Sequence, residues 1–248
     1  MKNAKTLVIS LVVVAVGFFG LVFLLPKLTG SSSSPSSNEV DLSKYQLNSL
    51  ISGNEDNGGI ADHVKGAKDA PVTLFEYADY QCSACANMNS WLKELLKEYD
   101  GKVKIVYRSF PLTNIHPNAI AAASAVEAAG LQGYWEEYGD LLFANQSEWF
   151  YASGTSRTDL FMSYFTSVTK GEGDLPKFRA DLSSANVKQK VAFDSAISNS
   201  LNISSTPSFF GSDGQEIDWV KSDTQTKAET LQIFRDFINQ QLESTSTE

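Results

Sequence analysis

Sulfur and imidazole are scarce in this chain of 248 residues: two cysteines, three methionines and two histidines. With one cysteine pair, Cys82 and Cys85, a zinc site of sulfur ligands alone is excluded, and a mixed site would have to recruit both His63 and His116. His63 lies in a polar stretch expected to be loop and His116 precedes Pro117 at an expected helix start, and neither stands near a Ser or Cys nucleophile motif. No glycine-rich phosphate loop of the P-loop or dinucleotide type is present. No metal and no bound cofactor is therefore expected. Positive charge is also short, with 20 Lys and Arg against 29 Asp and Glu and a net charge of −9. Lys2, Lys5 and Lys27 stand in the first 30 residues without an acid, so the remainder is more acidic still. Such a body is repelled by nucleic acid and by anionic lipid, and no nucleic-acid partner is expected.

What the chain does have, at its start, is Leu7 to Leu25, LVISLVVVAVGFFGLVFLL, an apolar run without a charge. It matches the ~20 residues that cross a bilayer as a helix. The lysines before it place the N-terminus in the cytoplasm and the body outside, which makes a single-pass protein of the cell membrane. The rival reading is a cleaved signal peptide, whose apolar region is shorter and ends at a small-residue site. No cysteine directly follows the run, so lipid attachment at a cysteine there is excluded. On either reading the body is exported into a space where disulfides persist. A spacer, TGSSSSPSSN, follows.

Val72 to Tyr77, VTLFEY, reads as a buried strand. Apolar residues Met88, Trp91, Leu92, Leu95, Leu96 and Tyr99 then recur at helical spacing until Asp100-Gly101, and Val103 to Tyr107 gives a second strand. Strand, helix and strand in that order form a parallel crossover unit. Helical patterns recur at Asn118 to Ala129, Tyr134 to Phe143, Thr158 to Val168, Leu175 to Leu182 and Val187 to Leu201, broken by Gly171-Glu172-Gly173 and Pro176. They are followed by a short strand Ser208 to Phe210, a turn at Ser212-Asp213-Gly214, a partner strand Glu216 to Val220 and a last helix Lys227 to Leu242. So much helix inside an α/β pattern implies an inserted helical subdomain.

Chemistry concentrates at Cys82-Ser83-Ala84-Cys85, where the first strand gives way to the helix. Two cysteines at this spacing can close and reopen a small disulfide, a loop too short to stabilise the chain by restricting its unfolded state. The helix N-terminus favours a thiolate, so Cys82 is expected to be the more acidic and more exposed thiol and Cys85 its resolving partner. Glu76, six residues earlier in an apolar strand, is a candidate proton relay if buried, with a solvated edge carboxylate as the alternative. Asp79 is a second candidate acid, with a loop or capping residue as the preferred reading. Thr206-Pro207, at the mouth of the Ser208 strand, reads from pattern alone as a turn.

The blocks DAPVTLFEYADYQCSAC, RSFPLTNIHPNA, EAAGLQGYWEEYGDLLFANQ and STPSFF, in that order, resemble the exported DsbA-like thiol:disulfide oxidoreductases of the thioredoxin superfamily over roughly residues 63–242. The resemblance implies an α/β thioredoxin fold with an inserted all-helical subdomain, here preceded by one N-terminal transmembrane helix. The expected division is an anchor at 1–28, a flexible linker at 29–62, the first part of the thioredoxin fold at 63–116, the helical insertion at 117–203 and the second part of the fold at 204–248. It also implies that Cys82 attacks, Cys85 resolves, Glu76 is the buried acid, and Thr206-Pro207 is a cis-proline loop that offers its backbone to an extended client. Ser83-Ala84 puts neither imidazole nor cation between the cysteines, so the resemblance implies exchange chemistry without fixing its potential. The expected function is oxidation of reduced exported client proteins, with a membrane protein as reoxidase. The alternatives are a disulfide reductase or isomerase, and a non-catalytic peptide-binding module.

Overall fold

A computed structural model describes residues 40–220, 222 and 224–245. The expected anchor at 1–28, with its apolar run 7–25, lies outside these residues, as does the serine-rich spacer. Among the described residues no helix is long and apolar enough to cross a membrane.

The strands are β1 (His63–Gly66), β2 (Val72–Ala78), β3 (Val103–Ser109) and β4 (Ser208–Gly211), and the described helices are α1 (Ser83–Glu98), α2 (Ala119–Gly130), α3 (Trp135–Ala144), α4 (Gln146–Trp149), α5 (Gly154–Val168), α6 (Leu175–Asp181), α7 (Ala185–Ser200) and α8 (Lys227–Thr245). One sheet has the order β1-β3-β2-β4. β2 and β3 run parallel with α1 as the crossover, while β1 and β4 close the two edges antiparallel. All seven residues of β2 are buried, because helices cover both faces of the sheet, and this is why its sequence shows no alternation.

On one face Val72, Leu74, Val103, Ile105 and Phe209 meet Met88, Leu92 and Leu95 of α1 and Leu231, Phe234 and Ile238 of α8. Each such aliphatic side chain, fully buried, stabilises the fold by about 1.5–3 kcal/mol. The opposite face carries Phe75, Tyr77, Val106 and Phe210, and packs on Phe193 and Ile197 of α7. α7, grouped by sequence with the insertion, thus also covers the sheet, while its Val187 and Val191 join the helical core. The remaining helices enclose a second core around Tyr138, Trp149, Phe161, Phe165 and Phe178, in which the rings of Phe165 and Phe178 stack at 4.1 Å. Alanine is what admits α2 to that core: Ala122, Ala123, Ala125, Ala128 and Ala129 are all buried.

Two local expectations change. The turn after β4 forms, with Gly214 N–H donating to Gly211 O at 3.0 Å, but the partner strand shrinks to a single bridge between Phe210 and Glu216. Trp219 turns inward instead, donating its indole N–H to Pro207 O at 3.2 Å and meeting Phe209 edge-on. His63 is not in a loop but opens β1, paired with Tyr107.

Residues 40–62, expected as linker, are docked on the domain. Tyr45 packs edge-on against Phe193 at 5.1 Å and Ile51 is buried. Asp62 fastens the segment, at 2.7 Å from Arg108 and 3.1 Å from Lys190, whose other partner is Asp194 at 2.7 Å. Arg108 also donates to the carbonyls of Leu47 and Ser49 and to the Tyr77 hydroxyl. Burial pushes the Asp62 carboxyl up, yet Lys190 and Arg108 hold it below its ordinary range.

Candidate active site

Cys82 is the residue before the first turn of α1, with extended backbone (φ −76, ψ 124), and its N–H donates to Asp79 O at 3.0 Å. Cys85, one turn on, faces the core and is fully buried, whereas Cys82 keeps 9% of its surface exposed. Both thiols are free. The Thr206–Pro207 bond is cis, as the resemblance implied. The loop it forms faces the motif, and the Cys82 thiol donates to Thr206 O at 3.4 Å.

The Cys82 thiol is lowered to about 5. The Cys85 thiol contributes most, donating to the Cys82 sulfur. The Thr206 side chain and the backbone N–H groups of Cys85 and Ala84 add to it, all against the opposing effect of burial. Stabilisation of the thiolate thus comes from Cys85, the facing loop and the helix start, and requires nothing of the Ser83 or Ala84 side chains. Burial pushes the Cys85 thiol well up, and its bond to Cys82 adds to that. The two thiols are therefore driven apart, one to leave as thiolate and the other to remain protonated.

Glu76 sits in the middle of the sheet, opposite Tyr107 on β3 and Phe209 on β4. It is 1% exposed, and among the described residues neither carboxylate oxygen has a hydrogen-bond partner. Burial pushes its carboxyl up to about 7, while the Lys65 ammonium pulls the other way. Lys65, buried on β1, donates to Asn89 Oδ1 and lies over the rings of Tyr107 and Trp135 at 5.8 and 5.5 Å. The alternative of a solvated edge carboxylate at Glu76 is thereby excluded. A carboxylic acid of this kind is poised to exchange a proton near neutral pH.

Asp79 holds the loop, as expected, through three bonds: Oδ1 accepts from Gln81 N–H at 2.8 Å, and Oδ2 accepts from Leu112 N–H at 2.9 Å and meets His116 Nδ1 at 2.8 Å. His63 Nε2 meets buried Glu127 at 2.8 Å and its ring stacks on Trp135. Each histidine is thus committed to its own carboxylate. Among the described residues no group of three or more His, Cys, Asp or Glu is placed to hold a metal.

Sequence reasoning missed Gln146, whose amide donates to Tyr80 O at 2.7 Å and Cys82 O at 2.9 Å, and Gln81, whose Oε1 accepts from Asn118 N–H at 2.7 Å. These bonds pin the motif to the helical subdomain. The helix α3 can approach because position 139 is glycine: a Cβ there would stand 3.1 Å from the Tyr80 ring. The position of Gln81 beside Cys82 was a visible signal; Gln146 had none. Beside the motif, Ala84, Thr206, Pro207, Glu216, Trp219 and Val220 line an open groove of about 590 Å³.

Residues 59–232 match the protein family described as Thioredoxin. Among curated proteins, Na(+)/H(+) antiporter NhaA 3 of Salinispora tropica is 38% identical over 149 residues, covering 60% of this chain and 21% of the antiporter. The chain thus spans about a fifth of the length of that relative. Oxidised BdbD from Bacillus subtilis superposes with a TM-score of 0.61 at 21% identity, over 78% of this chain and 98% of BdbD. For α-DsbA1 from Wolbachia pipientis the TM-score is 0.58 at 18% identity, over 74% of this chain and 94% of that one.

Proposed function

Because this chain belongs to the thioredoxin family and its fold is that of the DsbA-like proteins, we propose that it is a thiol:disulfide oxidoreductase which donates a Cys82–Cys85 disulfide to reduced exported proteins. A client thiolate, seated in the groove beside Thr206-Pro207, attacks Cys82 Sγ. The Cys82–Cys85 bond breaks, a mixed disulfide forms, and Cys85 takes up a proton from the neutral Glu76 carboxyl. A second client thiolate then attacks the client sulfur, closing the client disulfide and expelling Cys82 as thiolate. The client loses two electrons, the pair gains them, and a membrane reoxidase returns the pair to the disulfide. Residues 7–25 anchor the chain, with the catalytic domain outside the membrane.

The observation that carries the direction is the lowered Cys82 thiol at about 5. A thiolate stabilised in the reduced form makes that form the favoured product, and so makes the disulfide an oxidant. The potential of the pair tests this. An oxidase of this kind has a value toward about −120 mV, whereas a value near −270 mV assigns the chain to the reductases or isomerases.

A further inference from the structure

The four arginines of the chain fall into two kinds of surroundings. Arg108 is buried against Asp62, and Arg235 grips Glu98 through Nε and Nη2 at 2.9–3.0 Å. Arg157 and Arg179 have no carboxylate at ion-pair distance among the described residues, and both line one cavity of about 300 Å³ between α2, α5 and α6. Asp181, the acid nearest to Arg179 in sequence, is taken by Lys177.

Two uncompensated guanidinium groups facing one cavity repel each other, and proteins ordinarily relieve this with an acid, which this chain, at −9, has in excess. The cavity instead adds apolar walls from Ala121, Phe161 and Leu182. Those walls lower the local dielectric and strengthen attraction to an anion. Arg157 is held in place: its Nη1 donates to Asn118 Oδ1 at 2.7 Å, and Asn118 is itself buried and fixed by donations to the carbonyls of Trp149, Phe150 and Ala152. One edge of that guanidinium is occupied, and its other N–H groups remain to bind. Arg179, exposed on α6, can close over a bound group.

We propose that this cavity is an oxyanion site, in which a carboxylate or phosphate group is held between Arg157 and Arg179. The same chemistry is offered by free phosphate and by an acidic side chain of a bound protein.

With four arginines, the Nε–Hε region of an NMR spectrum of the full chain, labelled at arginine, holds four signals. Titration with inorganic phosphate, and separately with an acetylated aspartyl peptide, against chloride at matched ionic strength, tests the site. The Arg157 and Arg179 signals are expected to shift saturably while that of Arg108 stays still. Arg179→Gln, which removes an exposed side chain, weakens the affinity by about tenfold without moving the thermal unfolding midpoint. The tighter of the two ligands names the source of the anion. Absence of a saturable shift with both ligands, or unchanged affinity in Arg179→Gln, overturns the proposal.

Discussion

The sulfur of Cys82 and the carbonyl oxygen of Thr206, 124 residues apart in sequence, stand 3.4 Å from each other. In the proposed exchange the loop that receives a client also touches the attacking sulfur, and the Thr206 hydroxyl, without a hydrogen-bond partner among the described residues, is available to a thiolate there. Thr206→Val keeps the shape and removes that donor. The Cys82 thiol is expected to rise by about one unit, since one hydrogen bond to a charged group is worth roughly that much. The pH dependence of thiolate absorbance in the reduced protein measures it.

The same thiol makes the stability of the reduced protein depend on pH. Its value is about 5 in the folded chain against an ordinary 9.0. Between those limits the unfolded chain binds the proton and the folded chain does not, so stability rises with pH. The contribution is complete above about 9 and is lost as pH falls through about 5. Denaturant unfolding of the reduced protein across this window, with the oxidised protein as reference, should show a slope in the former that the latter lacks.

Glu76 works with the opposite sign. Its folded value of about 7 exceeds the ordinary 4.5, so its contribution is present below the lower value and is lost as pH rises through the upper. Glu76→Gln removes that dependence. At pH 8 the variant is expected to gain stability relative to the parent by an amount on the order of 3 kcal/mol compared with their difference at pH 4. If Glu76 relays the proton of Cys85, the variant also loses the step near pH 7 in the rate of disulfide exchange. Stopped-flow measurement against a dithiol peptide reads this directly.

Asp62 separates fold from chemistry. Asp62→Ala leaves Arg108 with no carboxylate partner and Lys190 with only Asp194, which is expected to cost about 3–5 kcal/mol by urea unfolding. Hydrogen exchange at residues 45–51 should accelerate as the docked segment loosens. The potential of the Cys82–Cys85 pair should not move, because the cluster lies on the sheet face away from α1.

Much of this was legible in the chain because it is encoded locally. β2, α1 and β3 each carry an apolar period of their own, and Cys82 falls where one period changes to the next. Glu76 was ambiguous because β2 is buried on both faces, and its side could be assigned only once the register with Tyr107 and Phe209 was known. Gln146 holds the carbonyl of a residue 64 positions away, and no spacing encodes such a bond. Residues 40–62 carry a short apolar rhythm at Val40, Leu42, Tyr45, Leu47 and Ile51 that packs on the core, but where it docks depends on the ion pairs of Asp62 with Arg108 and Lys190, which leave no periodic trace in sequence. The strand expected at Glu216 to Val220 had the right composition, but Trp219 found a better place against Phe209 and Pro207 than on a ladder.

The central claim is that Cys82 is the sulfur that exchanges with a client. A Cys85→Ser variant incubated with a peptide carrying an activated disulfide, with Cys82→Ser in parallel, tests it by mass spectrometry. The first variant is expected to form a stable mixed disulfide on Cys82 and the second to label Cys85 at least tenfold more slowly, because Cys85 is fully buried and its thiol is held well above its ordinary value. Equal labelling of both variants, or no adduct on Cys82, would contradict it.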